Sequence, residues 1–243
     1  GMSKVSTSWY SARVERDVRL TRWGEMGRPV LVFPTAGGDS EEIERWHLVG
    51  ACAGLLAAGR IKIYSVDSVD GRVLIDHEGD SLRQAYIQRQ FFQYIRHEVV
   101  PAVRADCASD GVELIAAGAS IGAFNALGCI TQFPDVFGAA VCMSGTFDLA
   151  RFYDGPLGDD FYASSAVHLI PYLSGWPLDA LRRRFVILAS GEGEHEDIGE
   201  SWHAAHVLGS AGVPNRVDPW GPHWAHDWPL WRAMLPGYLG ELC

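Results

Sequence analysis

The run Gly118-Ala119-Ser120-Ile121-Gly122 sets a serine hydroxyl among small residues, directly after an apolar stretch and directly before a helical pattern. G-x-S-x-G in a strand–turn–helix setting is the arrangement that exposes a serine as a nucleophile. The turn is so tight that the serine takes a strained backbone, and its neighbours must be small to avoid clashes. At a helix N-terminus, free N–H groups and the dipole favour a nearby negative charge. The chemistry open to such a serine is acyl transfer. The competing reading is a glycine-rich helix start packed on a sheet, with Ser120 as a cap.

An acyl-transfer serine needs a base within hydrogen-bond reach. In the α/β-hydrolase order that a G-x-S-x-G elbow suggests, an acid and then a histidine follow the serine in the chain. The histidine is therefore sought after the last strand, in Trp220-Gly221-Pro222-His223-Trp224-Ala225-His226-Asp227-Trp228. His223 and His226 both qualify; His226, just before the final helical pattern, is preferred. A loop histidine buried among tryptophans and donating to a carbonyl is the alternative. The acid is sought after the strand at 185–189, in Ser190-Gly191-Glu192-Gly193-Glu194-His195-Glu196-Asp197. The orienting carboxylate must be held and shielded, and spacing does not choose among Glu192, Glu194, Glu196 and Asp197. Asp218 and Asp227 are poorer candidates.

The tetrahedral intermediate needs two fixed N–H donors for its oxyanion. One is expected from Ile121, the residue after the serine. The other is expected from the loop Phe33-Pro34-Thr35-Ala36-Gly37-Gly38, with Ala36 first and Gly37 second. An ordinary turn is the alternative there.

These pieces need a scaffold that brings strand ends together. Residues 8–24 alternate loosely and suggest antiparallel edge strands. Further strands are expected at 30–33, 61–66, 113–117, 139–143, 185–189 and 216–220. Helices are expected at 41–58, 82–105 (ended or kinked at Pro101), 121–133, 198–211 and 228–240. Strands alternating with helices imply right-handed crossovers and a mostly parallel sheet covered on both faces. Ligands bind such sheets beyond the carboxyl ends of the strands. The uncharged run between Glu113 and Asp135 is long enough for a membrane helix, but its Gly, Ser, Asn, Thr and Gln residues fit a buried strand and helix better.

Composition bounds the rest. The chain has 243 residues, 48% of them hydrophobic, enough for one sizeable core and too many for disorder. The formal net charge of −10 argues against nucleic acid and acidic membrane surfaces as partners. Five scattered cysteines without a C-x-x-C suggest neither a disulfide scaffold nor a zinc knuckle, and point to a reducing cytoplasm. Gly1 before Met2 reads as the remnant of a removed tag, and the residues from Met2 lack the apolar run of a secretory signal.

The chain resembles the putative esterase branch of the α/β-hydrolase superfamily, the branch of esterase D and mycolyltransferase-like proteins. The resemblance rests on VLVFPTAGG (30–38), YSVDSVDG (64–71), residues 91–101, GASIGAFNAL (118–127), GEGEHED (191–197) and residues 217–239 with HDWPLWRAMLPGYL. It implies an α/β-hydrolase fold in a single domain over residues 2–243. It implies that the histidine of the H-D-W segment, His226, is the base. The pattern G-x-G-x-x-E falls on Glu196, which the resemblance implies is the acid, with Glu194 second. The chain departs from the pattern in having Glu where Asp is commoner, and in lacking an H-G-G-G string before the oxyanion loop.

The expected activity is hydrolysis of a small-molecule carboxylic ester by Ser120, His226 and Glu196, with Ala36 and Ile121 at the oxyanion and no metal or organic cofactor. The same site could transfer the acyl group to another alcohol. His203 with His206, His223 with His226, and His195 with Glu194, Glu196 and Asp197 also admit a zinc hydrolase, and a non-catalytic binding module is a further alternative. Residues 144–182, rich in aromatics (Phe147, Phe152, Tyr153, Phe161, Tyr162, Tyr172, Trp176), form either a cap over the site or more core. Trp220, Trp224, Trp228 and Trp231 either wall the site or seat the last helix. No membrane insertion is expected, and the oligomeric state stays open, a homodimer included.

Overall fold

The apolar runs at Val30–Phe33, Ile61–Val66 and Leu114–Ala119 are buried along their whole length, as strands covered on both faces must be. In the computed structural model, which describes residues 3–243, they form the middle of one eight-stranded sheet. Gly1 and Met2 lie outside the described residues. The strands are β1 Lys4–Ser11, β2 Arg16–Trp23, β3 Arg28–Phe33, β4 Ile61–Val66, β5 Leu114–Ala119, β6 Phe137–Met143, β7 Phe185–Ser190 and β8 Asn215–Pro219. Their spatial order is β1-β2-β4-β3-β5-β6-β7-β8. β1 and β2 pair antiparallel with each other, and β2 antiparallel with β4; every other pair is parallel. The order reverses around β3, so the loops after β3 and β5 emerge side by side.

Helices cover both faces. Phe91, Phe92, Ile95, Phe124, Leu127 and Leu208 pack on one side. Ile43, Leu48, Trp231, Met234 and Leu235 pack on the other. Each such side chain contributes about 1.5–3 kcal/mol by leaving water. The uncharged run is β5 followed by the buried helix Ile121–Gln132. Its small residues have a packing reason: a Cβ on Gly128 would sit 2.4 Å from the Phe92 ring. Among the described residues no helix is long and apolar enough to cross a membrane.

Several expectations need correction. The first two strands begin at Lys4, earlier than residue 8. The single helix expected over 41–58 is three short ones, Glu42–Arg45, Leu48–Ala51 and Ala53–Ala57. The chain breaks at Trp46-His47, where His47 has φ 63°. Trp46 stacks on Trp228 at 6.1 Å, and its carbonyl accepts from Arg232, so tertiary contact overrides the helical pattern. The segment expected over 82–105 runs as an α-helix at Ser81–Tyr94, a π-turn at Ile95–Val99 and an α-helix at Val100–Asp106. Pro101 lacks an N–H and crowds the preceding turn, and the wider π-turn relieves both. A helix at Val69–Ile75, directly after β4, was not expected.

Residues 144–182 carry short helices of their own at Gly158–Ser164, Ala166–Leu169 and Gly175–Leu181. Their aromatics divide. Phe147, Tyr153 and Phe161 are buried, whereas Phe152, Tyr162, Tyr172 and Trp176 are exposed.

Candidate active site

Ser120 follows β5 directly and opens the helix Ile121–Gln132 with φ 60° and ψ −120°. A non-glycine residue in that region carries about 1–3 kcal/mol of strain and persists only where its surroundings over-determine it. They do so here. A Cβ on Gly122 would lie 2.7 Å from the Phe33 carbonyl oxygen, and one on Gly118 would lie 2.4 Å from the Gly122 carbonyl carbon. The Ser120 N–H donates to the Met143 carbonyl at 3.1 Å, and its carbonyl accepts from Ala123 at 3.1 Å. Both glycines of the motif are thus required by backbone approach on two sides of the serine.

His226 donates from Nδ1 to Glu196 Oε2 at 2.7 Å. The Glu196 side chain is 1% exposed and that of His226 is 25% exposed, so the acid is shielded and the imidazole reaches solvent. The other carboxylates are occupied elsewhere. Glu194 is 79% exposed beside His195. Asp197 accepts from the Gly199 N–H, Asp227 from the Trp228 N–H, and Asp218 pairs with Arg216. Glu192 is exposed, and so is His223, the other candidate base.

The two loops are zipped together by backbone bonds from Glu192 to Gly221, Gly193 to Trp224 and His226 to Glu194, at 3.0, 2.9 and 2.9 Å. Cβ atoms on Gly191 and Gly193 would lie 2.5 and 2.6 Å from the Trp224 carbonyl oxygen. The glycines of G-x-G-x-x-E therefore make room for the histidine loop, which seats His226 over Glu196. With Nδ1 engaged, Nε2 is the nitrogen left for chemistry. Among the described residues no hydrogen bond joins Ser120 Oγ to His226 Nε2; the two are brought to the same end of the sheet through residues 143–144 and Glu196.

Ser144 was missed by sequence reasoning. It follows β6 with φ 48°, and its N–H donates to the Ala189 carbonyl at 2.7 Å. Its hydroxyl donates to Glu196 Oε1 at 2.6 Å and accepts from the Trp231 indole at 2.9 Å. The Gly191 N–H also donates to Oε1, at 2.9 Å. Oε1 is thus held by two donors and Oε2 is left to the histidine. Trp231 also sets its ring edge-on to His226 at 5.1 Å. The only signal in the sequence was a Ser-Gly pair at the end of a strand, which is too common to single out. Trp228 and Trp220, by contrast, seat the last helix, Trp228 edge-on to Trp231 at 5.0 Å and Trp220 donating to the Tyr238 hydroxyl at 2.8 Å.

Ala36, Ser120 and Ile121 line one cavity of about 390 Å³. Ile121 is the first residue of its helix, so its N–H has no carbonyl partner within that helix. The loop carrying Ala36 is braced from below. Buried Glu42 accepts from the Thr35 N–H at 2.8 Å and from its hydroxyl at 2.9 Å. Burial raises the Glu42 carboxyl above its ordinary range, and the Thr35 donors partly offset this. Arg72 donates to the Gly37 carbonyl. Among the described residues no three His, Cys, Asp or Glu side chains converge as metal ligands would.

Behind this wall lies Asp70, buried, with Asn125 donating to its Oδ1 at 3.3 Å and no partner at Oδ2. Burial pushes its carboxyl up to about 7. The folded value lies above the unfolded one of about 3.9. The native state then holds the proton more tightly, and the stability this contributes is complete below about pH 4 and lost as pH rises through about 7. Asp70→Asn is expected to flatten the fall in denaturation midpoint between about pH 4 and pH 7. An unchanged slope would remove Asp70 as its source.

A family model described as putative esterase matches residues 57–237. No curated protein sequence matches the chain. Among solved structures, a ferulic acid esterase superimposes with a TM-score of 0.75 at 15% identity, over 99% of this chain and 98% of its own. An S-formylglutathione hydrolase from Agrobacterium tumefaciens does so at 0.74 and 11%, over 99% and 94%. A fluorophosphonate-binding serine hydrolase from Staphylococcus aureus does so at 0.68 and 14%, over 99% and 98%. At these identities the likeness carries the fold, which is the expected single-domain α/β-hydrolase fold.

Proposed function

Because the chain belongs to the putative esterase family, we propose that it hydrolyses a carboxylic ester through an acyl-enzyme on Ser120. The observation that carries this reading is the 2.7 Å bond from His226 Nδ1 to a fully shielded Glu196, at the sheet end where a strained serine opens a helix. Ser120 Oγ attacks the ester carbonyl as its proton passes to His226 Nε2. Glu196 keeps the Nδ1–H tautomer and stabilises the imidazolium. The N–H groups of Ile121 and Ala36 receive the oxyanion. Nε2 then returns the proton to the departing alkoxide, and the acyl group stays on Ser120. A water, deprotonated by the same nitrogen, attacks the acyl-enzyme and releases the acid and the free serine. The Ser120–His226 bond that closes this relay forms with substrate in place, as such bonds commonly tighten only in the complex.

Ser144 and Trp231 act here as positioning residues, since they touch Glu196 and His226 rather than the reacting atoms. Residues 144–182 serve as a cap only at their start, where Thr146, Leu149 and Phe152 reach the cavity. All five cysteines are unpaired, which supports a reducing compartment, the cytoplasm.

An alkyl fluorophosphonate tests the reading, and a fluorophosphonate-binding hydrolase of the same fold supports that choice of probe. Mass spectrometry is expected to find one adduct, on the peptide containing Ser120. A folded protein that takes no label there would end the proposal.

A further inference from the structure

The cavity beside Ser120 is one-sided. Its walls include Ala36 and Ile121, the two oxyanion donors of the proposed mechanism, but neither His226 nor Glu196. That asymmetry fixes which half of an ester can enter it. The leaving alcohol must lie against Nε2, because that nitrogen protonates it. The carbonyl oxygen must lie between Ala36 and Ile121. The acyl chain is the remaining substituent, and the remaining space is the cavity. Resting on the esterase reading, we propose that this enzyme selects its substrate by the acid and not by the alcohol, taking an uncharged, apolar acyl group of about hexanoyl to octanoyl or phenylpropanoyl bulk.

The chemistry of the walls sets the class. Leu74, Ile75, Ile121, Leu149 and Phe152 supply most of the lining, with Thr146 and His77 as its polar side chains apart from Ser120. No Asp, Glu, Lys or Arg side chain forms a wall, so a charged acid would lose its hydration without a partner. Size follows from volume. A cavity of roughly 150 Å³ accepts a benzene ring. The cavity of about 390 Å³ is open at its mouth, where Ile75 and Phe152 are half exposed, so the part that shields a substrate is smaller and holds a ring with a short linker, or a straight chain of similar bulk. The alcohol side differs. The His226 side chain is a quarter exposed, and Ala225, Asp227 and His223 around it are exposed. An alcohol there stays largely in water and gains little from its own size.

The test uses the wild-type protein and two substrate series. In p-nitrophenyl esters the acyl chain runs from acetyl to decanoyl. In hexanoate esters the alcohol is methyl, butyl or benzyl, of similar basicity, with acid release followed by titration. Each methylene removed from water is worth about fourfold. We expect kcat/KM to rise by a factor on the order of 10² from acetyl to hexanoyl, and to fall once the cavity is full. The alcohol series is expected to stay within about fivefold. Ile75→Trp, at an exposed position of the mouth, is expected to lower the octanoyl-to-acetyl ratio at least about tenfold. A flat acyl series, or an alcohol series of wider spread than the acyl series, overturns the proposal. Turnover of no ester by a protein that fluorophosphonate labels at Ser120 also overturns it and leaves the nucleophile standing. Neither turnover nor labelling removes the esterase reading as well.

Discussion

Ser120→Ala is expected to lower kcat/KM for a p-nitrophenyl ester by at least about 10⁴-fold while leaving binding of the ester nearly unchanged. In the proposed mechanism the hydroxyl is the atom that becomes covalently acylated, and alanine has none to offer. The proposed oxyanion donors and the cavity remain, so a residual rate above that in water is expected from them alone. The variant should fold. Ser120 already holds φ 60°, alanine is no larger, and the bonds that fix the turn run through its N–H and carbonyl. Stability is therefore expected to change little. Steady-state kinetics beside a thermal melt decide the matter: a folded variant that keeps more than about a tenth of the rate would remove Ser120 from the reaction.

Glu196→Gln is expected to cost about 10³–10⁴ in kcat, for a reason the surrounding bonds dictate. The Ser144 hydroxyl and the Gly191 N–H both donate to Oε1. The indole of Trp231 donates to Ser144 Oγ, so the serine's own proton has to point at the carboxylate. A glutamine in this socket must put its carbonyl oxygen where Oε1 was, and its NH₂ then faces His226 Nδ1. The histidine can bond to it only by accepting at Nδ1, which moves the ring proton to Nε2. The nitrogen that should take the proton from Ser120 is then already protonated. The rate of fluorophosphonate labelling should fall in step with kcat, whereas a merely structural role for Glu196 would lower the melting temperature and leave labelling of the folded fraction intact. Loss of activity without slower labelling would contradict this account.

How much of this was legible in the sequence depends on how local each constraint is. The turn at Ser120 was legible because steric demands between adjacent residues select glycine on both sides. The strand at Val30–Phe33 and the run across β5 were legible because burial on both faces demands unbroken apolar side chains. The resemblance singled out His226 and Glu196. The glycines that accompany Glu196 acquired a reason only when Trp224 was found against them. The broken helix after residue 41 was not legible, because its break depends on Trp228, distant in sequence. Nor was the helix Val69–Ile75, whose Gly71 makes room for the loop carrying Ala36: a Cβ there would lie 3.1 Å from Ala36 Cα.

The sequence by itself determined the alternating α/β architecture, the family resemblance, and a serine placed where a parallel strand hands over to a helix. Periodicity and steric size act between neighbours along the chain and are written in the order of residues. Only the tertiary structure decided which carboxylate meets the histidine, that Ser144 and the Gly191 N–H hold that carboxylate, and on which side of the serine the cavity opens. Those choices come from hydrogen bonds and van der Waals contacts between segments dozens of residues apart. Such contacts exist only after the sheet has brought its strand ends to one edge.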